Sequence, residues 1–292
     1  MQSMIAPKPW LLYAYPWQPF LRRLIIYLRE RSIPASLVTI VPVSDVQNGD
    51  QAPPEFPARP AGSLPILMIP QGSDISPKSP VFVKQSIAIM EFIDELCLAG
   101  RYGFPKLPNP PTLRTNLSLN IPPGDEKVNA MLLRAKHNEL LTLAAGLTDG
   151  WNPVRLFGSG AGTQRIPAAA NETLQWVRRN LMNIENWMEE NEYDPTDLRW
   201  DSGSKRPATI AEITLFQFFE FTRDCYGVDM TEFAGGQSKD VYGRDAKQES
   251  PNLKLFFKSF LSRPGSAREA DKGEVPPEKL VKAMTDWSEG VF

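Results

Sequence analysis

The chain has 292 residues, 42% of them hydrophobic, which suits two packed domains of roughly 150 residues and excludes wholesale disorder. Its 32 Lys+Arg stand against 34 Asp+Glu, a formal net charge of -2, which argues against a phosphate-binding surface and a nucleic-acid partner. Two cysteines (Cys97 and Cys225) and a single histidine exclude a disulfide framework and leave no ligand set for a multi-histidine metal centre.

In chain order, Trp10 to Tyr15 (W-L-L-Y-A-Y) reads as a short buried strand closed by Pro16. Phe20 to Arg31 carries Leu21, Leu24, Ile25 and Leu28 at helical spacing, and Ser36 to Val43 has strand composition. A polar, Pro-rich loop spans Ser44 to Arg59. Leu64 to Ile69 and Val81 to Val83 bracket turn signals and predict an antiparallel hairpin. Gln85 to Cys97 is an amphipathic helix with Ile89, Phe92, Ile93 and Leu96 inward. A crossover followed by a hairpin predicts a mixed sheet.

Residues Gly103 to Glu126 form a Pro-rich connector, and beyond it the pattern turns helical. Helices are predicted over Val128 to Leu147, Ala168 to Glu192, Thr209 to Tyr226, Asn252 to Leu261 and Pro277 to Trp287. Proline marks the same division: of 28, 20 fall in residues 1–126, because helix interiors exclude it. G-S-G-A-G, Gly158 to Gly162, lacks the Lys-Ser/Thr of a phosphate loop and reads as a turn. No apolar run reaches the ~20 residues of a membrane span, and Met1 to Pro9 lacks the pattern of a secretory signal. A cytoplasmic protein without membrane attachment is the expectation.

Three segments carry a resemblance to a known family. P-A-G-S-L-P-I-L, Pro60 to Leu67, resembles N-P-x-G-x-V-P-x-L; Q-S-I-A-I, Gln85 to Ile89, resembles Glu/Gln-Ser-x-A-I; and T-I-A-E, Thr209 to Glu212, has capping-box spacing at the start of a helix. With the order of elements, these make the chain similar to a divergent, fungal-like member of the cytosolic glutathione transferase superfamily. The resemblance implies an α/β thioredoxin-like N-terminal domain (8–102), a linker (103–126) and an all-α C-terminal bundle (127–292). It also implies a cis bond at Leu64–Pro65 and glutathione held by Trp17, Ser63, Leu64, Pro65, Gln85 and Ser86. Independently of the family, Ser86 at a helix start lies where free N–H groups and the helix dipole favour an anion.

The family's usual Ser, Cys or Tyr past the first strand falls here on Trp17 or Gln18, neither of which has an acidic hydroxyl. Gln18 can donate an N–H to a thiolate, and Tyr15 is the nearest useful hydroxyl, so these two are the candidate catalytic residues. Ser63 stands where a Lys, Gln or Arg often precedes the Val-Pro pair, which directs attention to Arg59 and Lys84. Arg134, His137, Asn138, Trp151 and Phe157 are the candidates for contacting a second, electrophilic substrate. The resemblance further implies a homodimer, glutathione as co-substrate, no metal, and conjugation or isomerisation in a specialised metabolic pathway. Alternatives within the same fold are a binding or scaffold protein without transfer activity, and glutathione-independent chemistry in the cleft.

Overall fold

The sheet is built around its most apolar strand. In the computed structural model, which describes residues 9–44, 49–72, 75, 78–106, 117, 119, 124–159, 164–200, 206–232, 249–288 and 291, β1 (Trp10–Ala14) is buried at every position. Strand β2 (Val38–Pro42) pairs with it in parallel, and β3 (Ile66–Ile69) pairs antiparallel on its other side. Strand β4 (Val81–Lys84) completes the order β2-β1-β3-β4 by pairing antiparallel with β3. The mixed sheet is the one that the crossover and hairpin predict.

Alternation along β1 assigns its two faces. Leu11 and Tyr13 join Val41, Val43 and Met68 in one core cluster, against which Tyr15, Ala52, Phe56 and Leu64 pack. The loop that reads as a polar connector therefore supplies part of the wall over this face. The Tyr13 hydroxyl fixes it by donating to the Pro57 carbonyl, 3.1 Å away. Trp10, one step along the strand, stacks on Phe92 and meets Phe104 edge-on.

Helix α1 (Pro19–Glu30) opens with proline at its first position, where the missing N–H costs nothing and φ is already helical. Helix α2 (Ser86–Ala99) closes on Gly100 at φ 57°, the left-handed cap that glycine adopts freely. Arg31 at the end of α1 pairs with Asp94 of α2, and both side chains are buried.

Among the described residues, the second half of the chain is helical: α3 (Glu126–Ser159), α4 (Pro167–Glu190), α5 (Ile210–Tyr226), α6 (Pro251–Leu261) and α7 (Glu278–Ser288). Sequence pattern ends the first of these at Leu147, but α3 runs twelve residues further and through Pro153. Tertiary burial explains the extension. Trp151 packs edge-on against Phe218 and Tyr226 of α5, and Val154 is also sealed. Such burial, about 1.5–3 kcal/mol per large apolar side chain, offsets a mid-helix proline that costs about 3 kcal/mol. Gly150 lets α3 approach α4, since a Cβ there would lie 3.1 Å from Val177 Cγ2.

Helix α5 is the buried centre of this half, with Thr214, Gln217, Glu220 and Thr222 all inside. Its capping box is present: the Thr209 hydroxyl accepts from the Glu212 N–H and the Glu212 carboxylate accepts from the Thr209 N–H. Glu185 of α4 caps α6 in the same manner, accepting from the backbone N–H groups of Asn252 and Leu253. Gly158 and Ser159 end α3, and the remainder of G-S-G-A-G lies outside the described residues, as does most of the Pro-rich connector.

The chain divides into two compact units, Met1–Pro110 with Arg268–Val275, and Pro111–Ala267 with Pro276–Phe292. The short segment Arg268–Val275 thus joins the sheet-containing unit from far along the chain. Glu274 meets Arg22 at 3.0 Å and also pairs with Arg29, both on α1. Nothing in the local sequence pattern of either segment announces this partnership.

Candidate functional site

Strand register brings three of the sequence motifs to one end of the sheet. Tyr13 lies opposite Ile66, and Ile66 lies opposite Lys84. The last residues of β1, the first of β3 and the last of β4 are therefore neighbours. The Tyr15–Gln18 turn, the Ser63–Pro65 bend and the Gln85–Ser86 junction all leave the sheet at this end.

At the junction, Gln85 has φ 73° and ψ 125°, a left-handed backbone that glycine usually supplies. Strain of this kind, of order 1–3 kcal/mol, persists where the surrounding structure demands it, commonly at ligand sites. Ser86 follows at the first position of α2 and is buried. No side chain caps this helix and no acidic residue lies in its first turn. The positive end of α2 and the Ser86 hydroxyl are thus available to an anion.

The Leu64–Pro65 peptide bond is cis, as the resemblance implies. Ser63 is exposed, Leu64 is half-buried and Pro65 is buried. Two cations hold the preceding loop in place. Arg59 donates to the carbonyls of Pro60 (2.8 Å), Gly62 (3.0 Å) and Asp50 (3.1 Å) and pairs with the Asp50 carboxylate. Lys84 donates to the Ala61 carbonyl at 3.0 Å, and Gly62, at φ 121°, leaves room for its ammonium. Arg59 is occupied by these loop contacts, which correlates with a structural role.

Tyr15 donates its hydroxyl hydrogen to Asp50 Oδ1 at 2.6 Å. That bond, with the Arg59 guanidinium opposing burial, holds the Asp50 carboxyl below the usual carboxylate range. A phenol stabilises a thiolate by donating the same hydrogen, so the observed arrangement directs Tyr15 elsewhere. Asp50 lies 35 residues away, and no motif spacing links the two. Gln18 is the N-cap of α1: its carbonyl accepts the Arg22 N–H at 2.9 Å, while its side chain makes no capping bond. Its amide is free of a helical duty, and the preceding Trp17 is half-buried.

The five residues expected to contact a second substrate separate by helical periodicity. Arg134 and Asn138, one turn apart on α3, are exposed, as is Phe157. His137 and Trp151 are sealed in the helical core. His137 Nε2 accepts the Ala211 N–H at 3.3 Å, which satisfies one of the free donors in the first turn of α5. Asn138 lines a groove between α3 and α4 with Glu139, Leu143, Asn183, Asn186 and Trp187.

No helix among the described residues is long and apolar enough to cross a membrane. No curated protein sequence matches the chain. Residues 17–96 match the glutathione S-transferase N-terminal domain family. Solved structures resemble most of the chain. One is a glutathione S-transferase from Methylobacillus flagellatus with glutathione bound, at 17% identity, covering 92% of this chain and 100% of that one, with a TM-score of 0.54. A glutathione transferase family member from Pseudomonas fluorescens, also with glutathione bound, is 17% identical over 92% of this chain and 99% of its own, with a TM-score of 0.53. A maleylacetoacetate isomerase from Anaeromyxobacter dehalogenans, with dicarboxyethyl glutathione and citrate in its active site, is 17% identical over 96% and 97% of the two chains, with a TM-score of 0.51. The likeness establishes the fold: a thioredoxin-like sheet followed by a helical region, the architecture of the glutathione S-transferases.

Proposed function

We propose that the protein is a glutathione-dependent enzyme that conjugates or isomerises an electrophilic small molecule. The observation that carries this reading is the uncapped start of α2, where Ser86 and the strained Gln85 face the same sheet end as the Leu64–Pro65 bend. A carboxylate bound there completes a helix terminus that the protein leaves open. The Leu64 backbone, with Trp17, Ser63 and Pro65 around it, holds the cysteinyl part of the tripeptide. Gln18, whose amide has no capping duty, donates to the thiolate and favours the ionised sulfur. In this reading the protein acts as a cytoplasmic homodimer in a specialised metabolic pathway, with exposed Arg134, Asn138 and Phe157 the remaining candidates for substrate contact.

Calorimetric titration with glutathione tests the binding step. Ser86→Ala removes a hydrogen bond to a charged group, about 1.5–3 kcal/mol, so affinity should fall roughly 10- to 100-fold. Undiminished binding in that variant would refute the site. Thiol transfer to a generic electrophile tests the activation step. Gln18→Ala should lower the rate at neutral pH and move its pH profile to higher pH, because the thiolate loses a donor. Tyr15→Phe should leave the profile in place, since its hydroxyl serves Asp50.

A second reading, a glutathione-binding protein without transfer activity, is favoured by that same Tyr15–Asp50 bond, which leaves the turn without an available acidic hydroxyl. Saturable glutathione binding with no transfer to any electrophile at any pH would select it.

A further inference from the structure

A cavity of about 450 Å³ lies between α1 and β2, and every residue lining it belongs to the sheet-containing unit. Its apolar walls are Ile25 and Leu28 of α1, Ile33 just beyond, and Val38, Ile40 and Pro42 of β2. The volume falls within the ~300–1,000 Å³ usual for small-molecule sites and is too small for a folded partner.

The segment Arg268–Val275 and helix α1 together contribute the cavity's charge. Arg29, Lys272 and Glu274 are the charged residues on its wall, two cations and one carboxylate. The Glu274 carboxylate is already engaged on both oxygens: Oε1 meets Arg29, and Oε2 accepts from Arg22 at 3.0 Å and from the Glu269 N–H at 3.2 Å. Lys272 differs. Its side chain is 60% exposed, and its ammonium meets one carboxylate, Glu269 Oε2 at 2.6 Å, which also serves Arg29. An ammonium carries three donors, so hydrogens remain for a second acceptor. An apolar chamber whose wall carries two cations against one carboxylate is complementary to an amphiphilic anion.

We propose that this cavity binds a compact carboxylic acid, its apolar body against Ile25, Leu28 and Ile40 and its carboxylate beside Lys272. The site shares no residue with the Leu64, Gln85 and Ser86 constellation, so it stands whether or not glutathione binds.

Octanoate and its uncharged isostere octanamide are suitable probes, titrated calorimetrically into the full chain. Octanoate should bind saturably at one site and raise the melting temperature, with octanamide about two- to fivefold weaker, the difference one solvent-facing charge contact makes. Lys272→Gln should reduce octanoate to the octanamide level, and Ile40→Trp, which fills the chamber, should abolish both. Saturating glutathione should change none of these values. Octanoate that fails to bind at millimolar concentration, or binds Ile40→Trp undiminished, would overturn the site. Equal affinity for acid and amide in the unaltered chain would overturn the carboxylate assignment. Because Lys272 is exposed, Lys272→Gln keeps the test decisive even where Ile40→Trp does not fold.

Discussion

Glu212→Gln should destabilise the helical unit by about 3–5 kcal/mol, the cost of removing one partner from a buried ion pair. The carboxylate is wholly buried and accepts four hydrogen bonds: from Tyr193 at 2.6 Å, from Arg206 at 2.7 and 3.1 Å, and from the Thr209 backbone at 2.7 Å. Glutamine keeps the shape but sets an NH2 against donors and leaves the Arg206 guanidinium, 12% exposed, without its countercharge. The sign of the pH dependence follows. Burial opposes ionisation of Glu212, yet Arg206 and the hydrogen bonds from Tyr193 and Thr209 prevail and take its carboxyl from 4.5 to about 2. A folded-state value below the unfolded one gives stability that is fully present above about pH 4.5 and is lost as pH falls toward 2. Denaturant unfolding followed between pH 6 and 2 should therefore show a falling limb in the native protein that is much flatter in Glu212→Gln. Identical limbs in the two proteins would remove Glu212 from this role.

Glu274→Ala should loosen α1 by a comparable amount, again about 3–5 kcal/mol. Arg22 is completely buried, and the Glu274 side chain that meets it is 2% exposed. Arg29 shares the same carboxylate, and Arg268 donates to the Glu274 carbonyl at 2.6 Å. Losing Glu274 strips a carboxylate from two guanidinium groups on one helix and frees the segment that carries it. Hydrogen exchange of the α1 amides should accelerate in Glu274→Ala, while the amides of α5, in the other unit, keep their protection. The double variant Arg22→Met/Glu274→Met should be more stable than either single change, because two apolar side chains leave no buried charge behind. For comparison, removing the exposed Lys282–Asp286 pair of α7 should cost under about 1 kcal/mol. A Glu274→Ala variant as stable as the native protein would show that the segment is merely draped over α1.

Much of the fold is legible because its cues are local. Apolar spacing in α1, the β-rich composition of Trp10 to Ala14, and the T-x-x-E box at Thr209 each depend on residues within one turn or one strand. The features that escape are those in which distant segments decide. Pattern alone stops α3 near Leu147, where glycines and Pro153 weaken helical propensity, but aromatic packing of Trp151 on α5 carries it to Ser159. A spacing rule also cannot tell the sealed face of α3, with His137, from its solvent face, with Arg134 and Asn138, until α5 is in place.

The candidate site shows the same boundary. Residue types at Leu64–Pro65 and Gln85–Ser86 are enough to nominate an anion-binding helix start, since a free N-terminus and its dipole are properties of a few consecutive residues. What the hydroxyl of Tyr15 does is decided by Asp50 and Arg59, brought to it by the fold of the loop over the sheet. By itself the sequence determined the order of elements, the division between sheet and helices that its prolines mark, and the motifs at the sheet end. Only the tertiary structure decided that a segment near residue 270 returns to α1, that Arg22 is a buried ion-pair partner, and that a cavity lies beside β2. The physical reason is range: helix caps and periodicity act over a few residues, whereas burial and charge pairing act on whatever the folded chain brings together.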